Sequence, residues 1–354
     1  MIQLRSRLTQ APVPSLDEMI ALWQRLLDFS PVGPDDDFFD LGGDSLQALT
    51  LFHEIERTTG RSLPITAIYE ASTPARLVAA LGEEAPARFS PLVRLKSGVG
   101  EPLFIVHGIG GNVLELFKLG QSIDTPRPVY AIQARGVDGV EEPHDNIADM
   151  VDYYVAHVRS VQPRGPYFLA GYSFGGIVAM DMARRLQGRG ENVPLVGFID
   201  TFAHPRTFSR GQRHLVRIRG ILGDFRAKPF GEALRLTLNR LRNRGAGNLP
   251  TPMILADSPE DGTGGALRKV HVAAYKALNE YQPRPYLGPI EFFKPTTSIF
   301  PIPPKRIWGG LIEGGIAVHE VPGDHGSMVR AEVGGLARAM SLALRRAGET
   351  VKHG

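Results

Sequence analysis

The chain has 354 residues, a length that predicts two domains and equally allows one large domain with a small one. Hydrophobic residues make up 43% of it and charged residues 22%, a composition that excludes a wholly disordered chain. It contains no cysteine, which excludes disulfides, thiolate metal sites and a cysteine nucleophile. Residues 1–14 lack the apolar core of a secretory signal, and no apolar run reaches about 18 residues. We expect a cytoplasmic protein with no membrane partner.

Charge is distributed unevenly along the chain. Residues 15–84 contain 13 acidic and 4 basic side chains, a net charge of −9, whereas the whole chain carries +3. An acidic first segment followed by a basic remainder lacks the continuous basic face of a nucleic-acid-binding protein. The sequence therefore predicts two domains of opposite charge and no nucleic-acid partner.

Helical signals fill the acidic segment. The spacing Ser15-Leu-Asp-Glu18 is that of a capping box opening a first helix. A second helix begins at Ser45, and Thr73-Pro74 opens a third. Helical periodicity then stops at a stretch with two prolines. The predicted segments are an N-terminal tail over residues 1–14, a small all-α domain over 15–82 and a linker over 83–91.

Short apolar runs alternate with helical patterns after the linker, which is typical of a mostly parallel sheet with helices on both faces. Residues 205–282 interrupt this order with helical periodicity and no convincing strand, which is typical of a lid insertion. The predicted fold is an α/β domain over 92–343 with a helical lid, followed by a C-terminal tail over 344–354. The apolar runs lie at residues 103–107, 129–133, 167–170, 195–199, 290–293 and 316–320.

One serine lies between a buried strand and a helix. Gly171-Tyr-Ser173-Phe-Gly175 has the G-x-S-x-G spacing, whose glycines permit a sharp turn that exposes the serine at the carboxyl edge of an α/β-hydrolase sheet. The alternative is a serine-containing turn without chemistry, which the strand–turn–helix setting disfavours. We therefore predict that Ser173 is a nucleophile.

A serine nucleophile needs a base and an acid that orients the base, in the chain order serine, acid, histidine in this fold. Asp200 follows the next strand and His325 follows the last strand, so both should lie at the sheet edge that carries the serine. Asp324 is the alternative acid, but a neighbour in sequence rarely reaches the far ring nitrogen. We predict Asp200 as the acid and His325 as the base, since His107 comes too early in the chain.

The segment His107-Gly-Ile-Gly-Gly111 follows the first strong strand and resembles the glycine-rich turn of an oxyanion hole. The predicted oxyanion donors are the backbone amides of Ile109 and Phe174. A dinucleotide-binding loop is the alternative, but the third glycine of that fingerprint and a partner acid are missing. His53-Glu-Ile-Glu-Arg57 begins like a zinc-binding helix and lacks its second histidine, so no metal site is predicted.

A second motif, Asp36-Asp-Phe-Phe-Asp-Leu-Gly-Gly-Asp-Ser-Leu46, lies in the acidic domain. It resembles the phosphopantetheine attachment motif of peptidyl and acyl carrier domains, and residues 15–82 resemble the whole four-helix carrier bundle. Residues 92–343 resemble the type I thioesterase domains that terminate nonribosomal peptide and polyketide assembly lines. The resemblance implies an α/β-hydrolase fold with a lid and 4'-phosphopantetheine attached to Ser45. The alternative role of Ser45 is that of an ordinary helix N-cap.

The resemblance further implies a serine thioesterase. Ser173 would take an acyl or peptidyl group carried on Ser45, and hydrolysis or cyclisation would release it at the end of nonribosomal peptide or polyketide biosynthesis. The implied partners are a phosphopantetheinyl transferase and upstream synthase modules, with the chain either a stand-alone pair or an excised synthase terminus. The alternatives are a non-catalytic carrier that presents the acyl group and a free-standing esterase or acyltransferase.

Basic residues are concentrated in the predicted lid. Residues 204–244 contain 11 lysines and arginines and two acids, opposite in sign to the carrier segment. Arg206, Arg210, Arg213 and Arg217 recur at steps that place them on one face of a continuous helix. The sequence predicts that the carrier domain docks on this lid, the alternative being a solvated basic surface.

Overall fold

The computed structural model shows two compact units whose main boundary lies between Ser90 and Pro91. Residues 205–264 of the predicted lid, including Arg206, Arg210, Arg213 and Arg217, lie outside the described residues, as do residues 83–88 of the predicted linker. The structure describes residues 13–43, 45–61, 63, 67–82, 89–201, 265–298 and 303–353.

The first unit is helical in its described part. The capping box that opens its first helix is confirmed, because the Glu18 amide donates to Ser15 Oγ at 3.3 Å and the Ser15 amide donates to the Glu18 carboxylate at 2.7 Å. The second and third predicted helices are confirmed as well, whereas α3 is a single turn too short to show periodicity in the sequence. The helices are α1 (Leu16–Leu27), α2 (Ser45–Thr59), α3 (Ala67–Glu70) and α4 (Pro74–Gly82).

Aromatic side chains form the core of this unit. Trp23 and Phe38 are fully buried, and their ring centroids lie 5.1 Å apart in an edge-to-face arrangement. Leu51 of α2 and Leu77 of α4 are fully buried too. Large aromatic rings bury the most apolar area per residue, so a unit of this size can be stabilised by a few of them.

Within the described residues, the second unit contains a seven-stranded sheet in the order β1-β3-β2-β4-β5-β6-β7. Neighbouring strands are parallel, except that β1 runs antiparallel to β3. Six strands lie where the apolar runs predict them, and β1 is additional. The strands are β1 (Leu92–Lys96), β2 (Leu103–Val106), β3 (Val129–Ile132), β4 (Phe168–Tyr172), β5 (Leu195–Ile199), β6 (Ile290–Pro295) and β7 (Ile316–Val321).

Helices cover both faces of the sheet. Alternate strand residues point to opposite sides, and the apolar side chains on each side are buried against a layer of helices. Leu169 and Phe198 pack with the first layer of helices, whereas Ala170 and Ile199 pack with the second layer. The first layer consists of α6 (Ile147–Val161), α7 (Phe174–Gln187), α8 (Gly265–Glu280) and α9 (Pro304–Trp308), and the second of α5 (Phe117–Ser122) and α10 (Val333–His353).

The last helix is longer than the sequence predicts. α10 continues to His353, so residues 344–353 of the predicted C-terminal tail are helical. Leu344 and Ala347 are buried in the second layer because they continue the apolar spacing of Met340. Among the described residues, no helix combines the length and the apolar character needed to cross a membrane.

Candidate active site

Ser173 lies on a strained turn between β4 and α7. Its φ of 54° and ψ of −118° are unusual for a non-glycine residue. The Ser173 amide donates to the Ile199 carbonyl at 2.8 Å, which fixes the turn to the end of β5. Ser173 is 6% exposed. The structure therefore places this hydroxyl at the carboxyl edge of the parallel strands, where the sequence motif predicts it.

The glycines around Ser173 are required by close packing. A Cβ on Gly171 would lie 2.0 Å from the Gly175 carbonyl oxygen, and a Cβ on Gly175 would lie 2.4 Å from the His107 carbonyl oxygen. A Cβ on Gly176 would lie 1.9 Å from Thr201 Oγ1. These three distances are far below van der Waals contact, so any larger residue must displace the turn or its neighbours.

The structure brings Asp200 and His325 together. Asp200 directly follows β5, is 4% exposed and has a φ of 42°. Its amide donates to the Phe293 carbonyl at 2.9 Å, which ties the residue to β6. His325 follows β7, and its Nδ1 lies 2.7 Å from Asp200 Oδ2. Because a carboxylate accepts, Nδ1 carries the proton in this pair.

Asp324 has a different environment. Its Oδ1 accepts from the backbone amides of Gly326 at 3.0 Å and Ser327 at 2.8 Å, and its own amide donates to Ser327 Oγ at 2.8 Å. The hydrogen bond from the Ser327 amide is the main cause that lowers the pKa of Asp324. This carboxylate therefore shapes the turn that holds His325, while Asp200 contacts the imidazole.

The predicted oxyanion donors lie on two adjacent loops. Ile109 follows β2 and Phe174 opens α7, and β2 pairs in parallel with β4, which leads into α7. The close approach of Gly175 to the His107 carbonyl shows that these loops are in contact. Within residues 89–201, neither the Ile109 nor the Phe174 amide donates to another group. Both amides are thus available to a ligand oxygen.

His107 is buried next to this loop. It is fully buried, with Nδ1 against the Gly108 carbonyl and Nε2 2.7 Å from Tyr154 Oη. A carbonyl can only accept, so Nδ1 carries the proton and Nε2 accepts from the tyrosine. Burial lowers the pKa of His107 to about 4. The neutral ring therefore supports the loop and has no free nitrogen to act as a base.

Tyr172 and Glu115 lie beside this loop and have no role in the site predicted from the sequence. A Cβ on Gly108 would lie 3.0 Å both from Glu115 Oε1 and from Tyr172 Cδ1. Tyr172 directly precedes Ser173, and Glu115 lies in a 3-10 turn (Leu114–Leu116) after the loop. The position of Tyr172 within the G-x-S-x-G motif was the signal that could have identified it.

The second predicted site lies in the first unit, where α2 begins at Ser45. In the turn before it, the Gly43 amide donates to the Phe38 carbonyl at 2.9 Å. A Cβ on Gly43 would lie 2.4 Å from the buried Phe38 ring, so glycine is required there. The first turn of α2 has no acidic residue. A helix N-terminus without acidic residues in its first turn favours a phosphate group, so the residues present fit phosphopantetheine.

Two family models match the chain. Residues 101–344 match the thioesterase domain, and residues 17–81 match the phosphopantetheine attachment site. A dimodular nonribosomal peptide synthase of Bacillus subtilis is 32% identical over 335 residues, which cover 90% of this chain and 14% of that protein. Malpinin synthetase of Mortierella alpina is 36% identical over 205 residues, or 56% of this chain and 3% of that protein. The chain thus spans a small part of the length of these curated relatives.

Solved structures show the same architecture. A four-domain nonribosomal peptide synthetase in its holo form is 25% identical, with a TM-score of 0.57 over 95% of this chain and 26% of that chain. The NocB thioesterase domain, in covalent complex with a fluorophosphonate nocardicin G analogue, is 20% identical. Its TM-score is 0.51 over 72% of this chain and 99% of that chain, a likeness in fold. The second unit therefore has an α/β fold of the kind found in thioesterase domains.

Proposed function

Because the chain belongs to the thioesterase domain family, we propose that Ser173, His325 and Asp200 form a catalytic triad that cleaves thioesters. The observation that carries this proposal is the 2.7 Å hydrogen bond between His325 Nδ1 and Asp200 Oδ2, at the sheet edge that also bears Ser173. A carboxylate on Nδ1 fixes the imidazole tautomer whose Nε2 can accept a proton.

The proposed reaction consists of two acyl transfers. His325 Nε2 takes the proton of Ser173 Oγ while Oγ attacks the thioester carbonyl carbon, and the imidazolium then gives that proton to the leaving sulfur. The C–S bond breaks and a serine ester remains. Water, or a nucleophile within the acyl group, then attacks this ester with His325 again as the base. The products are a carboxylic acid or a cyclised product and regenerated Ser173.

The amides of Ile109 and Phe174 are proposed to bind the oxyanion of each tetrahedral intermediate. A preorganised donor of this kind is worth about 10²–10³ in rate in serine hydrolases. The packed glycines of the turn support this role, because they allow the nucleophile turn and the loop after β2 to touch. The four segments that follow β2, β4, β5 and β7 at this edge therefore supply the electrostatic stabilisation, the nucleophile, the acid and the base.

For the first unit, which carries the phosphopantetheine attachment domain, we propose that helices α1 to α4 form a carrier bundle and that Ser45 Oγ is the attachment point. When attached, phosphopantetheine supplies a thiol on a flexible arm, on which an acyl group is held as a thioester. Ser45 opens α2, and the helix amides there favour its phosphate. Gly43, pressed against Phe38, fixes the turn that leads to the serine.

The order of the two domains suggests the biological role. The relatives are multimodular synthases, and the chain matches a carrier followed by a thioesterase domain. We propose that it receives an acyl or peptidyl group from upstream synthase modules and releases it as the terminating step. Activation of the carrier requires a phosphopantetheinyl transferase.

Of the predicted lid, residues 265–280 pack in the first layer of helices as α8, so residues 205–264 are proposed to form the lid on which the carrier docks through opposite charge. The carrier segment has a net charge of −9, and residues 204–244 contain 11 basic side chains. Exposed charges are screened beyond about 8 Å at physiological ionic strength, so salt should slow transfer. Residues 1–85, loaded and supplied in trans to the separate remainder, should transfer less rapidly as salt rises. A rate independent of salt, or unchanged when Arg210, Arg213 and Arg217 become Glu, would refute docking.

Intact-mass analysis of the loaded full chain tests the proposal. A broad-range transferase and an acyl-coenzyme A attach the acyl-bearing arm, and the mass is followed with time in the parent, Ser173→Ala and Ser45→Ala. The parent should lose the acyl mass and keep the arm, Ser173→Ala should keep both, and Ser45→Ala should gain neither. An acyl group kept indefinitely by the parent would identify a non-catalytic carrier. Equal loss from the parent and Ser173→Ala would refute the role of Ser173.

A further inference from the structure

Tyr172, the last residue of β4, contacts His325 in two ways. Its Oη donates to the main-chain carbonyl of His325 at 2.8 Å. Its ring stacks on the imidazole, with centroids 4.9 Å apart and planes inclined by 19°. Tyr172 is only 4% exposed. The strand that presents Ser173 therefore holds both the backbone and the side chain of a residue 153 positions away.

Several hydrogen bonds lie within the loop that carries His325. The Asp324 carboxylate accepts from two backbone amides of the loop, and the Met328 amide donates to the Asp324 carbonyl at 3.0 Å. Met328 and Val329 are fully buried beneath it. These hydrogen bonds tie the residues on both sides of His325 to one another. A contact that fixes the placement of this loop on the sheet therefore also fixes the imidazole.

A second link joins the same loops. Arg330 Nη2 lies 3.6 Å from Glu115 Oε2, so the segment after His325 is paired with the segment after the predicted oxyanion loop. Burial raises the pKa of Glu115, an effect that Arg330 opposes. The Arg330 side chain is 66% exposed, and exposed ion pairs contribute little. The buried Tyr172 contact is therefore the stronger of the two.

We propose that Tyr172 is a positioning residue that sets the placement of the His325 imidazole relative to Ser173, an inference that rests on the proposed triad. Tyr172 and Ser173 are joined by one peptide bond, so the hydrogen bond from Tyr172 Oη ties the His325 backbone to the residue next to the nucleophile. Reacting groups must be held within a fraction of an ångström, and a misplacement of 1 Å can cost about 10² in rate. Losing Tyr172 Oη should therefore reduce the rate of chemistry more than substrate binding.

Tyr172→Phe tests this inference, and Tyr167→Phe is the matched control. Tyr167 is fully buried directly before the same strand, and its Oη donates to the Gln162 carbonyl at 2.8 Å. Both variants thus lose one tyrosine-to-carbonyl hydrogen bond and keep the ring. Turnover of a small N-acetylcysteamine thioester by the full chain should fall about tenfold in kcat for Tyr172→Phe, with KM within about twofold, whereas Tyr167→Phe should keep the parental kcat. Tyr172→Leu, which also removes the stacked ring, should lose about a hundredfold.

Two further measurements separate positioning from a general loss of structure. The rate at which a fluorophosphonate labels Ser173 should fall by the same factor as kcat, and the downfield proton resonance of His325 Nδ1 should shift in Tyr172→Phe only. Parental kcat and labelling in Tyr172→Phe, or equal losses in both tyrosine variants at equal melting temperatures, would overturn the inference. A Ser173→Ala chain with parental turnover would instead refute the proposed function, and this inference with it.

Discussion

Burial of His107 predicts that the second unit loses stability in mild acid. The neutral ring satisfies both nitrogens, since Nδ1 donates to the Gly108 carbonyl and Nε2 accepts from Tyr154. A protonated ring would be a fully buried cation, and the two groups that contact its nitrogens, a carbonyl and a tyrosine hydroxyl, carry no negative charge. Burial therefore lowers the pKa of His107 from its usual 6.5 to about 4.

The size and direction of the effect follow from this shift. Because the folded pKa is lowered, the unfolded chain binds the proton first as pH falls. The free energy of unfolding therefore decreases below about pH 6.5 and stops changing below about pH 4. Each pKa unit corresponds to about 1.4 kcal/mol, so the free energy of unfolding falls by about 3 kcal/mol in total. About 2 kcal/mol of this decrease occurs between pH 7 and pH 5.

Urea unfolding of the parent and His107→Gln at pH 7 and pH 5 measures this loss. Glutamine keeps one donor and one acceptor and does not titrate. Both proteins carry Trp23→Phe, so that the fluorescence of the buried Trp308 reports the second unit alone. The parent should lose about 2 kcal/mol more than His107→Gln between the two pH values. Other histidines contribute equally to both proteins, so equal losses would refute the assignment of a buried neutral His107.

The other predictions concern the two sites directly. Asp200→Asn should slow thioester cleavage about 10⁴-fold, because the imidazole loses its orienting acceptor, while Asp324→Asn should stay within about tenfold of the parent; the reverse order would make Asp324 the acid. Ser45→Ala should abolish the mass gained from coenzyme A and a broad-range transferase, and continued modification would show another attachment residue. Gly176→Ala should lower the free energy of unfolding by about 1–3 kcal/mol in urea, because its Cβ would lie 1.9 Å from Thr201 Oγ1; an unchanged midpoint would mean that Thr201 moves aside.

Elements with strong local signals could be predicted from the sequence. The helix over Ile147–Val161 is one of them, because its apolar residues recur at helical spacing and Asn146 caps it by accepting from the Asp149 amide at 2.9 Å. The turn at Ser173 could be predicted from the glycine spacing together with the apolar strand before it and the helix after it. The pairing of Asp200 with His325 could be anticipated because parallel strands end at one edge, which restricts where residues after β5 and β7 can lie.

Other features depend on contacts that local patterns do not encode. β1 has only five residues, two of which are Arg94 and Lys96, so its pattern is too short and too charged to distinguish from a loop after Pro91. The many polar residues in the last turns of α10 make this segment look like a tail in the sequence, although Leu344 and Ala347 are buried in the structure. The stacking of Tyr172 on His325 joins distant parts of the chain, so it becomes visible only when the sheet edge is assembled.

The left-handed backbone of Ser173 and Asp200 has a consequence for protein engineering. Their φ angles of 54° and 42° are conformations that glycine adopts freely and that cost other residues about 1–3 kcal/mol each. A library selected for heat resistance alone would therefore gain from glycine at positions 173 and 200, and the most durable clones would carry no nucleophile and no acid. Directed evolution of this chain has to select for turnover at the same time, or exclude these two codons from mutagenesis.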